Sequence, residues 1–72
     1  MKTLQEKILI LRRYCEKMRI AYGLPDSVSW QIYLEDSFSS WKDLIETNLC
    51  SPRDFLEMVE DKLKLMKGEK QE

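Results

Sequence analysis

The 72-residue sequence contains no histidine, and it has only two glycines, two prolines and two cysteines. Without histidine, the common Ser–His and Cys–His pairs that activate a catalytic nucleophile cannot form. The two glycines, Gly23 and Gly68, are too far apart for a glycine-rich phosphate-binding loop. The sequence therefore predicts a non-enzymatic protein with no catalytic residue, no metal site and no cofactor.

Charge is nearly balanced, because twelve basic and thirteen acidic side chains leave a formal net charge of −1. This balance is not typical of proteins that bind nucleic acid or anionic membranes through their net charge. No apolar run approaches the length of a transmembrane helix, and the charged N-terminal segment does not resemble a signal peptide. We therefore expect a cytoplasmic protein without membrane contact.

The first predicted helix, residues 3–22, begins with a capping box. Thr3 can accept a free backbone amide, while Glu6 reaches back to the amide of Thr3. At the other end, Gly23 can adopt the left-handed conformation that closes a helix, and Pro25 prevents its continuation. Apolar residues recur at intervals of three and four, which predicts one buried stripe. The stripe consists of Leu4, Ile8, Leu11, Cys15, Met18 and Tyr22.

A second helix is predicted over residues 27–49, with Asp26 or Ser27 as its N-cap. Its large apolar residues share one side at about 100° per residue, and they keep this phase across Ser37–Ser40. Serines favour caps over helix interiors, so a break at Ser37–Ser40 is the alternative. The unbroken period favours one continuous helix. The stripe consists of Trp30, Tyr33, Leu34, Phe38, Trp41, Leu44, Ile45 and Leu49.

A third helix is predicted over residues 52–67, with Ser51 as N-cap and Pro52 at its first position. Residues 68–72 contain no apolar side chain and are expected to form a frayed tail. Short connections make successive helices antiparallel neighbours. The predicted fold is therefore all-α, an antiparallel three-helix bundle or helical hairpin plus third helix, in a single domain over residues 1–67.

The two cysteines are predicted to lie apart. Cys15 is in the middle of the first helix, whereas Cys50 follows the second helix, which returns to the level where the first helix begins. At 1.5 Å per residue, the two are separated by about 15 Å along the bundle, and a disulfide needs Cα atoms within about 7 Å. We expect Cys15 to be a core residue and Cys50 to be a free thiol.

Several apolar residues lie off the predicted stripes, and contiguous exposed apolar patches mark interaction sites. The alternative is that packing of three helices buries these residues as well. We favour a small protein–protein interaction module, a regulator or inhibitor that acts by helix-face docking on another protein or on a second copy. The off-stripe pairs are Leu9 and Ile20, Val28 and Ile32, and Met58 and Leu65.

A homodimer is expected, because so short a chain buries only about 60% of its unfolded surface. In the favoured arrangement the first helix meets its symmetry mate through Leu9 and Ile20. Glu16 of one copy would then pair with Arg13 or Lys17 of the other. The alternative arrangement uses the off-stripe pair of the third helix.

An alternative function is a nucleic-acid-binding regulator that uses the basic first helix. Residues 1–22 hold six basic and two acidic side chains, whereas residues 26–49 hold one basic and five acidic. A nucleic-acid footprint needs a denser face of one sign, so a solvated helix face is favoured and nucleic acid is not the expected partner. The candidate residues for this function are Arg12, Arg13, Lys17 and Arg19.

Overall fold

The computed structural model describes the backbone of residues 2–70 and the side chains of residues 2–68. This part of the chain forms three helices, α1 (Leu4–Ala21), α2 (Val28–Glu46) and α3 (Pro52–Lys70). α1 packs along both α2 and α3, and the chain reverses direction at each short connection. The predicted all-α three-helix bundle is confirmed.

Both ends of α1 are capped as the sequence predicts. The Thr3 hydroxyl accepts the Glu6 amide at 3.1 Å, and the Glu6 carboxylate accepts the Thr3 amide at 3.0 Å. Gly23 has a φ of 73°, in the left-handed region that glycine enters without steric cost. The next amide, of Leu24, donates to the Arg19 carbonyl at 3.2 Å. This closing geometry turns Leu24 into the core, where it is buried.

α2 is continuous through Ser37–Ser40, which confirms the predicted unbroken helix. Ser27 is its N-cap, since its hydroxyl accepts the Trp30 amide at 3.2 Å. Asp26, the other candidate cap, instead accepts a hydrogen bond from the Gln31 side chain at 2.7 Å. Ser37 is buried, so a small side chain is accommodated at this position of the helix without ending it.

α2 ends at Glu46, three residues before the predicted end. Asn48 has a φ of 60°, and asparagine is among the few residues other than glycine that adopt this left-handed conformation readily. The amide of Leu49 donates back to the Leu44 carbonyl at 3.0 Å and closes the helix. As a result, Leu49 leaves the predicted stripe and is 76% exposed.

α3 begins as predicted and extends further than predicted. The Ser51 hydroxyl accepts the backbone amide two residues later at 3.1 Å, and Pro52 occupies the first helical position. The helix then continues through Gly68 to Lys70. One glycine near a helix end costs only about 1 kcal/mol relative to alanine, which does not stop the helix. The rest of the predicted tail, residues 71–72, lies outside the described residues.

The core is formed by all three helices, and its centre is aromatic. Phe55 of α3 is fully buried; its ring stacks on Phe38 at 5.0 Å and meets Trp41 edge-on at 5.4 Å. Both cysteines are free, and Cys15 is buried as predicted. The fully buried side chains are Cys15, Trp30, Leu34, Phe55, Val59 and Leu63.

Candidate interaction surface

Two large apolar side chains of α1 remain exposed on one side of the helix. Leu9 is 49% exposed and Ile20 is 65% exposed. At about 100° per residue, the two lie within about 20° of each other. Each lies about 140° or more around the helix from Tyr22, whose hydroxyl donates to Glu60 of α3. Leu9 and Ile20 therefore lie on the side of α1 that is turned away from α3.

α2 has a matching pair one helical turn apart. Val28 is 75% exposed and Ile32 is 56% exposed. Both lie about 100° or more around the helix from Tyr33 and Trp41, whose rings are close to Lys62 and Phe55 of α3. Val28 and Ile32 are thus also directed away from α3.

The two pairs belong to one side of the α1–α2 hairpin, which we call the outer face and define by Leu9, Ile20, Val28 and Ile32. α1 and α2 are joined along this side by the Arg12–Glu35 ion pair at 2.8 Å. The Arg12 guanidinium also lies 5.1 Å from the centre of the Phe38 ring. These contacts of Arg12 link α1 to α2 on the outer face.

Charge is divided between the two halves of the outer face. On α1, Arg13 and Lys17 are exposed, and within the described side chains neither forms an ion pair. On α2, Glu35 and Asp36 are exposed and border a shallow depression that also contains Val28. The outer face is therefore basic along α1 and acidic along α2.

Glu16 is committed to contacts within its own chain. Its carboxylate accepts the indole N–H of Trp30 at 2.9 Å and pairs with the Arg19 guanidinium at 2.8 Å. Arg19 in turn donates to the Leu24 carbonyl at 2.7 Å. The predicted pairing of Glu16 with Arg13 or Lys17 of a second copy stays a prediction, and it would add a third partner to a carboxylate that already has two. The spacing of the apolar residues did not predict the contacts of Glu16, because Glu16 lies beside the apolar stripe.

The four candidate nucleic-acid residues are not equivalent. Arg12 and Arg19 are held in ion pairs with carboxylates of the same chain. Only Arg13 and Lys17 keep exposed cations, and the Lys17 ammonium lies 5.8 Å from the centre of the Tyr14 ring. All four residues lie on α1, but ion pairs within the chain compensate the charges of two of them, Arg12 and Arg19.

The predicted exposed pair on α3 is not a pair. Leu65 is 66% exposed, but Met58 is partly buried against the core. One turn after Met58, the Lys62 ammonium lies 5.5 Å from the centre of the Tyr33 ring, which places this side of α3 against α2. Because α3 contacts two neighbouring helices, it buries a wider arc than a single stripe. Met58 lies within this arc, and Leu65 remains exposed without a second apolar residue beside it.

A cavity of about 260 Å³ lies at the end of the bundle near the α2–α3 connection. Ile10, Phe55 and Leu56 form apolar walls, and Cys50 lies at its edge. Lys7 closes one side: its ammonium donates to the carbonyls of Ile45 and Glu46 at 3.4 and 3.3 Å and to the Asn48 side chain at 3.1 Å. This lysine stabilises the C-terminus of α2, a role that sequence reasoning missed.

Among the described side chains, those of residues 2–68, no three His, Cys, Asp or Glu residues form a group that could hold a metal ion. No helix within residues 2–70 has the length and apolar character required to cross a membrane. No protein-family model, curated protein or solved structure matches this chain.

Proposed function

We propose that this chain is a small, non-enzymatic protein–protein interaction module that acts as a regulator or inhibitor by helix-face docking. Its docking surface is the outer face, and the occupant of that surface is a second copy of the chain. We further propose a cytoplasmic setting, which suits two cysteines that are both unbridged.

The observation that carries this proposal is the exposure of four large aliphatic side chains on one side of the α1–α2 hairpin. Leu9, Ile20, Val28 and Ile32 are each between 49% and 75% exposed. Single exposed apolar residues are ordinary, but apolar positions gathered on one face favour a docking role.

Charge favours a second copy over a foreign partner. The outer face has a basic half that includes Arg13 and Lys17, and an acidic half that includes Glu35 and Asp36. A two-fold interface uses the same patch on both subunits and must be complementary to itself. A face with one basic and one acidic half meets that requirement. The small size of the chain, which limits the core it can build alone, favours association as well.

The alternative function, nucleic-acid binding through α1, has less support. Arg12 and Arg19 are paired with Glu35 and Glu16 of the same chain. These pairs would have to break before either arginine could neutralise a phosphate. The overall net charge of −1 also provides no long-range attraction for a polyanion.

A dilution series followed by backbone amide NMR tests the proposal. We expect amide resonances around Ile20 and Val28 to shift as the protein is diluted, because the second copy dissociates from the outer face. Resonances around Leu65 serve as the control, since this residue is equally exposed but lies on α3. Spectra that do not change with concentration, or changes centred on α3, would contradict the proposal.

A further inference from the structure

A symmetric dimer that uses the outer face can be built in two ways. If the two-fold axis runs across the helices, α1 covers α1 of the second copy, and α2 covers α2. If the axis runs parallel to the helices, α1 of each copy covers α2 of the other. Both arrangements are closed and isologous, so the side chains on the face must decide between them.

The first arrangement brings like charges together. Arg13 and Lys17 of one copy would face the same residues of the other, and Glu16 compensates them only in part, because its carboxylate is already paired with Arg19 and hydrogen-bonded to Trp30. On the α2 side, the acidic half of one outer face would likewise cover the acidic half of the other. Like charges opposed across an interface disfavour association.

The second arrangement brings opposite charges together at matching heights. Within one copy, the Arg12–Glu35 bond places these two residues at the same level along the bundle. An axis parallel to the helices preserves that level between copies. Arg13 of one copy therefore comes to the level of Glu35 of the second copy, whose side chain has one partner, Arg12, and is 69% exposed.

The apolar residues also match in height. The Glu16–Trp30 bond marks a second common level, and α1 and α2 run in opposite directions from it. Ile20 lies one turn beyond Glu16, and Val28 lies two residues before Trp30. With about 1.5 Å of rise per residue, Ile20 of one copy comes to the level of Val28 of the second copy within about one turn.

We propose that two copies associate about a two-fold axis parallel to the helices, so that basic α1 of each copy covers acidic α2 of the other. This inference rests on the proposed function and specifies the arrangement of the same surface. Ile20 and Val28 form the apolar contact between copies, and Arg13 with Glu35 forms the polar contact that selects this arrangement over its alternative.

Disulfide trapping between differently substituted copies tests the arrangement. In a Cys50→Ser background, an Ile20→Cys chain is mixed with a Val28→Cys chain, and separately with a Leu9→Cys chain, one member of each pair being isotopically labelled. After mild oxidation, mass spectrometry identifies the mixed covalent dimers. A disulfide needs Cα atoms within about 7 Å, so we expect the Ile20→Cys/Val28→Cys dimer to form roughly tenfold faster or more.

The reverse order would overturn the proposal, because an axis across the helices brings Leu9 opposite Ile20. Equal and slow trapping of both mixtures, in a protein that sediments as a dimer, would also overturn it while leaving self-association intact. A protein that sediments as a monomer would instead refute the proposed function itself. Circular dichroism of each variant establishes that the chains remain folded, and guanidinium should abolish any preference.

Discussion

Replacement of Trp30 by alanine should lower the free energy of unfolding by about 3–5 kcal/mol, the range found for large aromatic side chains in protein cores. Trp30 is fully buried, and its ring stacks with Tyr33 at a centroid distance of 6.1 Å. Its indole N–H donates to Glu16 at 2.9 Å. The substitution therefore removes both apolar packing and one of the two partners of a partly buried carboxylate.

Urea unfolding at a fixed protein concentration measures this effect, because association links stability to concentration. Trp41→Ala is the matched control, since Trp41 is only partly buried and contacts Phe55 by its edge, and it should cost less. Trp30→Phe keeps an aromatic ring but loses the hydrogen bond, and it provides a folded variant if Trp30→Ala does not fold. Equal losses for Trp30→Ala and Trp41→Ala would contradict the described packing.

The two cysteines should differ by orders of magnitude in their rate of reaction with a thiol reagent. Burial, helped by the nearby Glu16 carboxylate, raises the pKa of the Cys15 thiol to about 12. Near pH 8 such a thiol is ionised in about one molecule in ten thousand, and it is also shielded from the reagent. Cys50 is only half-buried, at the edge of the cavity.

Labelling kinetics with a chromogenic disulfide reagent measure this difference. We expect one thiol to react quickly and the second to react only as the protein unfolds, with both reacting at once in guanidinium. A Cys50→Ser variant should lose the fast phase, and a Cys15→Ala variant should keep it. Two fast thiols in the folded wild type would show that Cys15 is not sealed within the core.

The helix starts were predictable because their signals are local. The capping box at Thr3, the hydroxyl cap at Ser27 and the Ser51-Pro52 start each depend on residues within one turn of the cap. The continuity of α2 through Ser37 followed from the period of its apolar residues. The end of α2 was harder to predict from the sequence. Asn48 only permits the left-handed conformation that ends the helix, whereas Gly23 favours it.

Contacts between helices were harder to predict, because they depend on how far each helix is rotated and shifted along its neighbours. The spacing of the apolar residues in the third helix placed Met58 off the buried stripe. In the structure, the approach of α3 to α2 covers Met58. The same applies to Lys7 at the C-terminus of α2 and to Glu16, which accepts the indole N–H of Trp30. The exposure of Leu9 and Ile20 could be predicted. Both residues lie on the side of α1 opposite the buried stripe, which stays exposed at any shift of α1 along its neighbours.

Sedimentation equilibrium at concentrations of roughly tens of micromolar measures the mass of the associated protein. Self-association through the outer face predicts twice the 8.7 kDa mass of the chain for the wild type and for Leu65→Glu, whose substitution lies off the outer face. It predicts the single-chain mass for Ile20→Glu/Val28→Glu, because buried unpaired carboxylates would oppose each other across the interface. A wild type of 8.7 kDa, or a dimer that survives Ile20→Glu/Val28→Glu, would contradict it.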